Sequence, residues 1–479
     1  MTEPQRYESP LGTRYASPAM QRLWSAQQRA GIWRRLWLAL AEEQRRLGLD
    51  IPNAAIVEMR AHLDDADLEA VRRYERRFRH DVMAHVHHFG DQAPAARSFL
   101  HLGATSCYVT DNAELIVMRE ALRMLLGRLT AVGRSLAEFA QRTREIPTVA
   151  YTHFQPAQLT TVGKRAVLWL QDFLLDAEAL RDLVDGLPFR GCKGVTGTQA
   201  TYLELFHGDH EKVLQLDRAV GNAFGFDTTV PVSGQTYTRK IDSRIVDTLG
   251  GIGQSAAKFG TDLRLLQHEG EVLEPSEADQ IGSSAMPHKR NPMRAERICS
   301  LSRYLLAQQE TAHYTAATQW LERTLDDSAI RRLALSDSFL AADAVLVLCT
   351  NVSAGLEYSE ATIRRNVERV MPFMAIERWL MLGVEAGGDR QALHEVMRQH
   401  SREVSAAIAE GAPNDLLERL AGDEAFAALS AEQLKAEMDP LRYIGRAQQQ
   451  VSEFLDGPVA QLLASLAAYD VTDGATVNV

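Results

Sequence analysis

Cysteine is scarce in this chain: Cys107, Cys192, Cys299 and Cys349 are the four among 479 residues, far apart and without C-x-x-C spacing. That excludes a disulfide scaffold and supplies no zinc-ligand spacing, so the four read as free thiols. No apolar run long enough to cross a bilayer stands out. Residues 1–10 are polar and lack a signal-like apolar core, so a cytoplasmic placement without membrane attachment is the expectation. Positive charge is in deficit, with 52 Lys and Arg against 63 Asp and Glu for a net charge of -11; a nucleic-acid binder would need an extended basic surface instead. Few stretches alternate with period two, which leaves strands a minor role. Gly191, Gly194 and Gly197 recur every third residue with no strand before them. That is neither a P-loop nor a dinucleotide fingerprint, and no nicotinamide or ATP site is implied.

Apolar periodicity, by contrast, is strong. Leu115, Met118, Leu122, Leu125, Leu129, Val132, Leu136 and Phe139 step alternately by three and four, and the same period runs through Ile241, Ile245, Leu249, Ile252, Ala256, Phe259, Leu263 and Leu266. Ile330, Leu333, Leu340, Ala344 and Val347 continue it. Each run extends about 30–40 Å at the helical rise. Such narrow seams need partners, within a subunit or across several, so an oligomeric helical core is expected. The chain reads as all-α in three helical domains. Residues 1–105 carry an apolar face of Leu23, Ala26, Ala30, Trp33, Trp37 and Leu40; 106–358 form the central long-helix bundle; 359–479, broken at Pro372 and Gly387-Gly388, form shorter amphipathic pieces. The final stretch, 471–479, is polar and expected to be frayed.

Five constellations carry chemistry. Residues 282–292 read G-S-S-A-M-P-H-K-R-N-P, placing a hydroxyl, an amine and an amide on one loop whose glycine and serines can move while Pro287 and Pro292 restrict it. Lys289, Arg290, Arg294 and Arg297 against Glu296 make a local positive excess suited to an anionic ligand. Residues 152–164, T-H-F-Q-P-A-Q-L-T-T-V-G-K, place His153 in a loop just before an apolar helix, where it can titrate near neutrality. Residues 79–88 open R-H-D; His85 and His88 share a helical face but have no carboxylate or thiolate at ligand spacing, so no metal site is expected and His85, His87 and His88 read as structural. Thr105 and Ser106, followed by Asp111-Asn112 at the start of the first long helix, suit a carboxylate cradle. In 322–332, Ser328 is a candidate cap and phosphate donor, while Asp326 and Asp327 should turn away from a phosphate or pair with arginines.

The loop 282–292 resembles the G-S-S-x-M-P-x-K-x-N lid of the fumarase/aspartase lyase superfamily, and all five constellations together resemble its adenylosuccinate lyase branch along nearly the whole chain. The resemblance implies β-elimination of fumarate from a nucleotide substrate, without cofactor or metal. Ser283 would be the base and His153 the acid, with Lys289 and Asn291 holding the carboxylate that takes up charge. It assigns Thr105 and Ser106 to the fumarate side and Arg79, His80 and Asp81 to the nucleotide pocket. Arg14, Tyr15, Arg323, Ser328 and Arg332 would hold phosphate or nucleotide, Gln235 the base or succinyl group, and Arg297 the anionic substrate. It further implies a homotetramer whose active sites are shared between subunits. The carboxy-muconate cycloisomerase branch has a similar lid, M-P-H-K-R-N-P, but its substrate carries no nucleotide phosphate for the R-H-D motif to serve; a non-catalytic relative is the other alternative.

Overall fold

A computed structural model of the chain describes residues 7–277 and 279–469; the polar stretch 471–479 lies outside the described residues. Near the N-terminus come helices α1 (Ala26–Arg46), α2 (Leu68–Phe78) and α3 (Asp81–Gln92). Five long helices follow: α4 (Ser106–Thr143), α5 (Val162–Asp185), α6 (Lys240–His268), α7 (Met293–Ala317) and α8 (Asp326–Ala354). Strands are few, as expected. β1 (Pro147–Thr152) and β2 (Gln155–Thr161) form a hairpin between α4 and α5, and β3 (Val272–Leu273) pairs with β4 (Glu357–Tyr358). A further helix, α9 (Glu360–Met374), carries Pro372 in its last turn.

The apolar seams explain the packing. The α4 seam is wholly buried, and only Ile241 of the α6 seam is less than buried. The third seam is imperfect: Leu333, which the period turns inward, is 63% exposed. α4 also outruns its seam. It spans 38 residues, about 57 Å, and begins at Ser106 rather than at Asp111-Asn112. Those two residues lie in the first two turns and are buried, Asp111 against Arg239 and Asn112 against the Gly191 backbone.

The described core falls into two clusters. One runs from Leu11 through the bundle and is rejoined by Val451, Val459, Leu462 and Leu466. The other gathers residues from Val367 to Ala447 around Trp379 and takes Val149 and Leu159 from the hairpin. Among the described residues one helix is long and apolar enough to cross a membrane, which the sequence reading did not anticipate: α8, with mean hydropathy 1.7 over its most apolar window. That window is 72% buried inside the chain, so the bundle itself covers its apolar surface.

Ion pairs fix the direction of the helices. Arg239, just ahead of α6, bonds Asp111 near the start of α4 and Asp327 near the start of α8, so α4, α6 and α8 begin at one end of the bundle. At the far end Gln267, the penultimate residue of α6, donates to the Arg290 carbonyl at 3.0 Å just ahead of α7.

One half-buried acid has a measurable consequence. Asp176 of α5 packs against α6 at Gly251, and its Oδ2 is buried without a hydrogen-bond partner. Burial pushes its carboxyl up to about 6, the Ser255 hydroxyl opposing and Asp172 adding to the shift. A raised carboxyl favours the fold below its ordinary value near 4, and that contribution is lost as pH rises through 6, on the order of 3 kcal/mol at most. Asp176→Asn should therefore raise the melting temperature at pH 7.5 and leave it unchanged at pH 4; equal shifts at both would contradict the assignment.

Candidate active site

The loop 282–292 closes on itself. A Cβ on Gly282 would come within 2.1 Å of the Lys289 carbonyl, so only glycine admits the approach, and Asn291 Nδ2 donates to the Gly282 carbonyl at 2.6 Å. Inside this turn Ser283 Oγ accepts backbone N–H bonds from Ala285 at 3.3 Å and Met286 at 3.1 Å. Two donors aimed at one oxygen stabilise negative charge on it and so favour its deprotonation. The root of the loop is held by Glu274, which is buried and accepts from the first N–H groups of α7, Arg294 at 3.1 Å and Ala295 at 2.8 Å. Arg290 is paired with Glu357 and Arg294 with Glu277. Lys289, which makes no ion pair among the described residues, lines a cleft of about 490 Å³ with Asn291, Arg264 and His268. One turn into α7, the Arg297 guanidinium stands 5.9 Å over the Tyr15 ring. Arg14, beside Tyr15, is exposed.

His153 is not in a loop running into a helix. It sits at the tip of the β1–β2 hairpin, with Thr152 paired to Gln155 and only His153 and Phe154 between them. Their φ values, 53° and 58°, are the left-handed pair that a type I′ turn requires, an unusual demand on two non-glycine residues that leaves the imidazole exposed. The sequence has no Asn-Gly or Asp-Gly there, so the turn was not legible. Buried Glu271, just beyond α6, pins the hairpin: it accepts from Thr148 Oγ1 at 2.9 Å and from Asn366 Nδ2 of α9 at 3.0 Å. The hairpin is therefore rooted at the lid end of the bundle.

The remaining sequence-predicted residues gather at the opposite end. His80 caps α3, its Nδ1 accepting from the Met83 N–H, while its Nε2 lies 3.4 Å from Ser106 Oγ. Asp81 pairs with Arg332 at 2.8 Å. Arg79 takes the left-handed position that ends α2. Thr105 occupies the cap position of α4 without a side-chain cap bond, so its hydroxyl is not consumed by the helix. Ser328 does not cap α8, as the sequence suggested; Leu325 holds that position and Ser328 lies within the first turn. Asp327 does pair with arginines, Arg323 at 2.7 Å and Arg239 at 2.8 Å. Gln235 Oε1 accepts from the Cys107 thiol at 3.7 Å, and the Gln235 backbone N–H donates to the Glu322 carbonyl.

Two supports at this end escaped the sequence reading. Gly191, Gly194 and Gly197 all have φ near 80°, and a Cβ on Gly197 would fall 1.7 Å from the Ser233 carbonyl. Their spacing marks a left-handed loop laid against the Gln235 segment, where the Val195 carbonyl accepts from Gln235 Nε2 at 3.0 Å. Arg190, fully buried, donates to the Gln235, Gly191 and Gly194 carbonyls. The histidines of α3 serve packing. His85 meets Trp33, and burial lowers its pKa to about 4; His88 Nε2 accepts from the Asp67 N–H; His87 lies against Phe78.

The candidate residues thus form two groups at opposite ends of α6. Its 29 residues set the ends about 43 Å apart, far beyond the span of one mononucleotide. Within one chain the lid does not meet the end that carries Thr105, Ser106 and Arg323.

Comparison with known proteins identifies the family. Residues 23–305 match the family model described as "Lyase", and residues 372–454, most of the second core cluster, match "Adenylosuccinate lyase C-terminus". The adenylosuccinate lyase of Saccharomyces cerevisiae is 45% identical over 100% of both chains, and that of Schizosaccharomyces pombe 46% identical over 96% of each. Among solved structures, the 3-carboxy-cis,cis-muconate lactonizing enzyme from Pseudomonas putida superposes with a TM-score of 0.80 over 95% of this chain and 98% of its own. At 23% identity that likeness speaks for the fold alone. Full-length identity to adenylosuccinate lyases, with a matching C-terminal model, decides between the two branches: the chain belongs to the adenylosuccinate lyase family.

Proposed function

We propose that this chain eliminates fumarate from adenylosuccinate, giving AMP, and from the succinylated imidazole-carboxamide ribotide SAICAR, giving AICAR. The observation that supports the chemistry is the pair of backbone N–H groups on Ser283 Oγ, which would stabilise the alkoxide that takes the proton beside the substrate carboxylate and returns to the hydroxyl form. The electron pair of that C–H bond forms the double bond, the C–N bond breaks, and His153 protonates the departing nitrogen. Lys289 and Asn291 hold the carboxylate while it gains charge, the contribution of greatest weight for so weakly acidic a proton. Every step is acid–base chemistry on side chains and needs no cofactor or metal.

The working enzyme in this reading is a homotetramer with active sites completed across subunits. Its support is the separation of the two residue groups, together with apolar residues left outward on the bundle, Leu168 and Leu175 of α5 and Leu265 of α6, 46%, 59% and 41% exposed. A helix surface of that kind asks for a second copy. Four buried free cysteines suit a reducing compartment, and we place the reaction in the cytoplasm.

Chromatography of purified protein incubated with adenylosuccinate tests the reading, with SAICAR and carboxy-muconate in parallel. Fumarate and AMP in equal amounts are expected. Turnover of carboxy-muconate alone would move the chain to the cycloisomerase chemistry, and no product from any of the three would leave a non-catalytic protein.

A further inference from the structure

Buried charges connect the middle of the bundle end to its mouth. Asp111, 1% exposed, takes both terminal nitrogens of Arg239, at 3.1 and 3.2 Å, and the Tyr237 N–H at 3.1 Å. Arg239 Nε reaches one oxygen of Asp327 at 2.8 Å, and the other oxygen receives Arg323 NH1 at 2.7 Å. Burial works against the charge on Arg239, yet the carboxylates around it, Asp111 foremost, hold its pKa above the ordinary guanidinium value. Asp327 is 1% exposed, whereas the Arg323 side chain is 23% exposed and borders a cavity of about 310 Å³. A side chain with Arg323's rotamer freedom would otherwise sample many orientations at that mouth.

We infer that Asp327 is a positioning residue: fixed from behind by Arg239 and Asp111, it orients the Arg323 guanidinium so that its remaining donors face the anionic end of the substrate. The inference rests on the reading of Arg323 as a phosphate or nucleotide ligand. A buried bridge between two arginines that served folding alone would act equally whether or not Arg323 were present.

A double-mutant cycle on the full-length enzyme separates these, with KM for adenylosuccinate, kcat, and Ki for inorganic phosphate as readouts. Arg323→Gln and Asp327→Asn should each raise KM and Ki about tenfold to a hundredfold, the loss expected of a charge-assisted hydrogen bond, with much smaller changes in kcat. In the Arg323→Gln background Asp327→Asn should add almost nothing. If Asp327→Asn is insoluble, Asp327→Glu, which keeps the charge but displaces it by one methylene, carries the same cycle. Fully additive effects, or an unchanged KM and Ki in the soluble Asp327 variant while Arg323→Gln raises both, would overturn the positioning role. An Arg323→Gln enzyme that binds phosphate and substrate normally would overturn the ligand reading of Arg323, and the inference with it; the single variant reveals that case by itself.

Discussion

Ser283→Ala is expected to lower kcat by about 10²–10⁴-fold, the range for loss of a positioned general base, while Ki for AMP stays within about threefold because ground-state contacts are largely kept. The geometry argues for so unequal an effect. Ser283 Oγ is the acceptor for two N–H groups on its own loop, so alanine removes the atom that gathers charge and leaves the loop's remaining closures, Asn291 to Gly282 and Gln267 to Arg290, in place. The N–H groups released are on an exposed loop and can turn to water at small cost. Initial rates and AMP inhibition measured on the same preparation check it. Turnover near wild type would remove Ser283 from the mechanism, and a parallel collapse of AMP affinity would mean that the loop, rather than the base, had been lost.

Periodicity and short motifs carried the fold further than they carried the site. The seams of α4 and α6 are local facts, since an apolar residue every three or four positions says which face is buried whatever the partner. The lid was legible for a related reason: its glycine and prolines are adjacent in sequence to the residues they position. What escaped notice depends on residues remote in the chain. Asp111 gave no sign of a buried ion pair because its partner Arg239 lies 128 positions away, and Glu271 gave no sign of anchoring a hairpin that begins 124 residues before it. The turn at His153-Phe154 hid for a different reason, as neither residue advertises a left-handed conformation. The glycine triplet was visible but was compared with phosphate-binding fingerprints, whereas its left-handed loop supports Gln235. Nor does periodicity disclose that α6 holds the two halves of the candidate site apart.

That separation makes the second large effect a gain rather than a loss. Ser283→Ala removes the proposed base at the lid end; a chain carrying Thr105→Val and Arg323→Gln damages the other end, and Thr105→Val takes away a hydroxyl that caps nothing. Each variant alone should be nearly inactive at low substrate. Mixed at equal concentration under conditions that allow subunit exchange, they should recover roughly a quarter of wild-type activity: a site needing one intact segment from each of two chains draws both with a probability of one half times one half. Were both groups to serve one site within a single chain, every site in every mixed oligomer would carry a lesion and no activity would return. Mass spectrometry of differently tagged variants establishes that exchange has taken place, so activity absent from proven mixed oligomers refutes the shared site. The helix motivates the expectation, because joining the ends within one chain would require closing about 43 Å spanned by a continuous 29-residue helix, and a second subunit laid alongside in the opposite sense would bring them together without bending either.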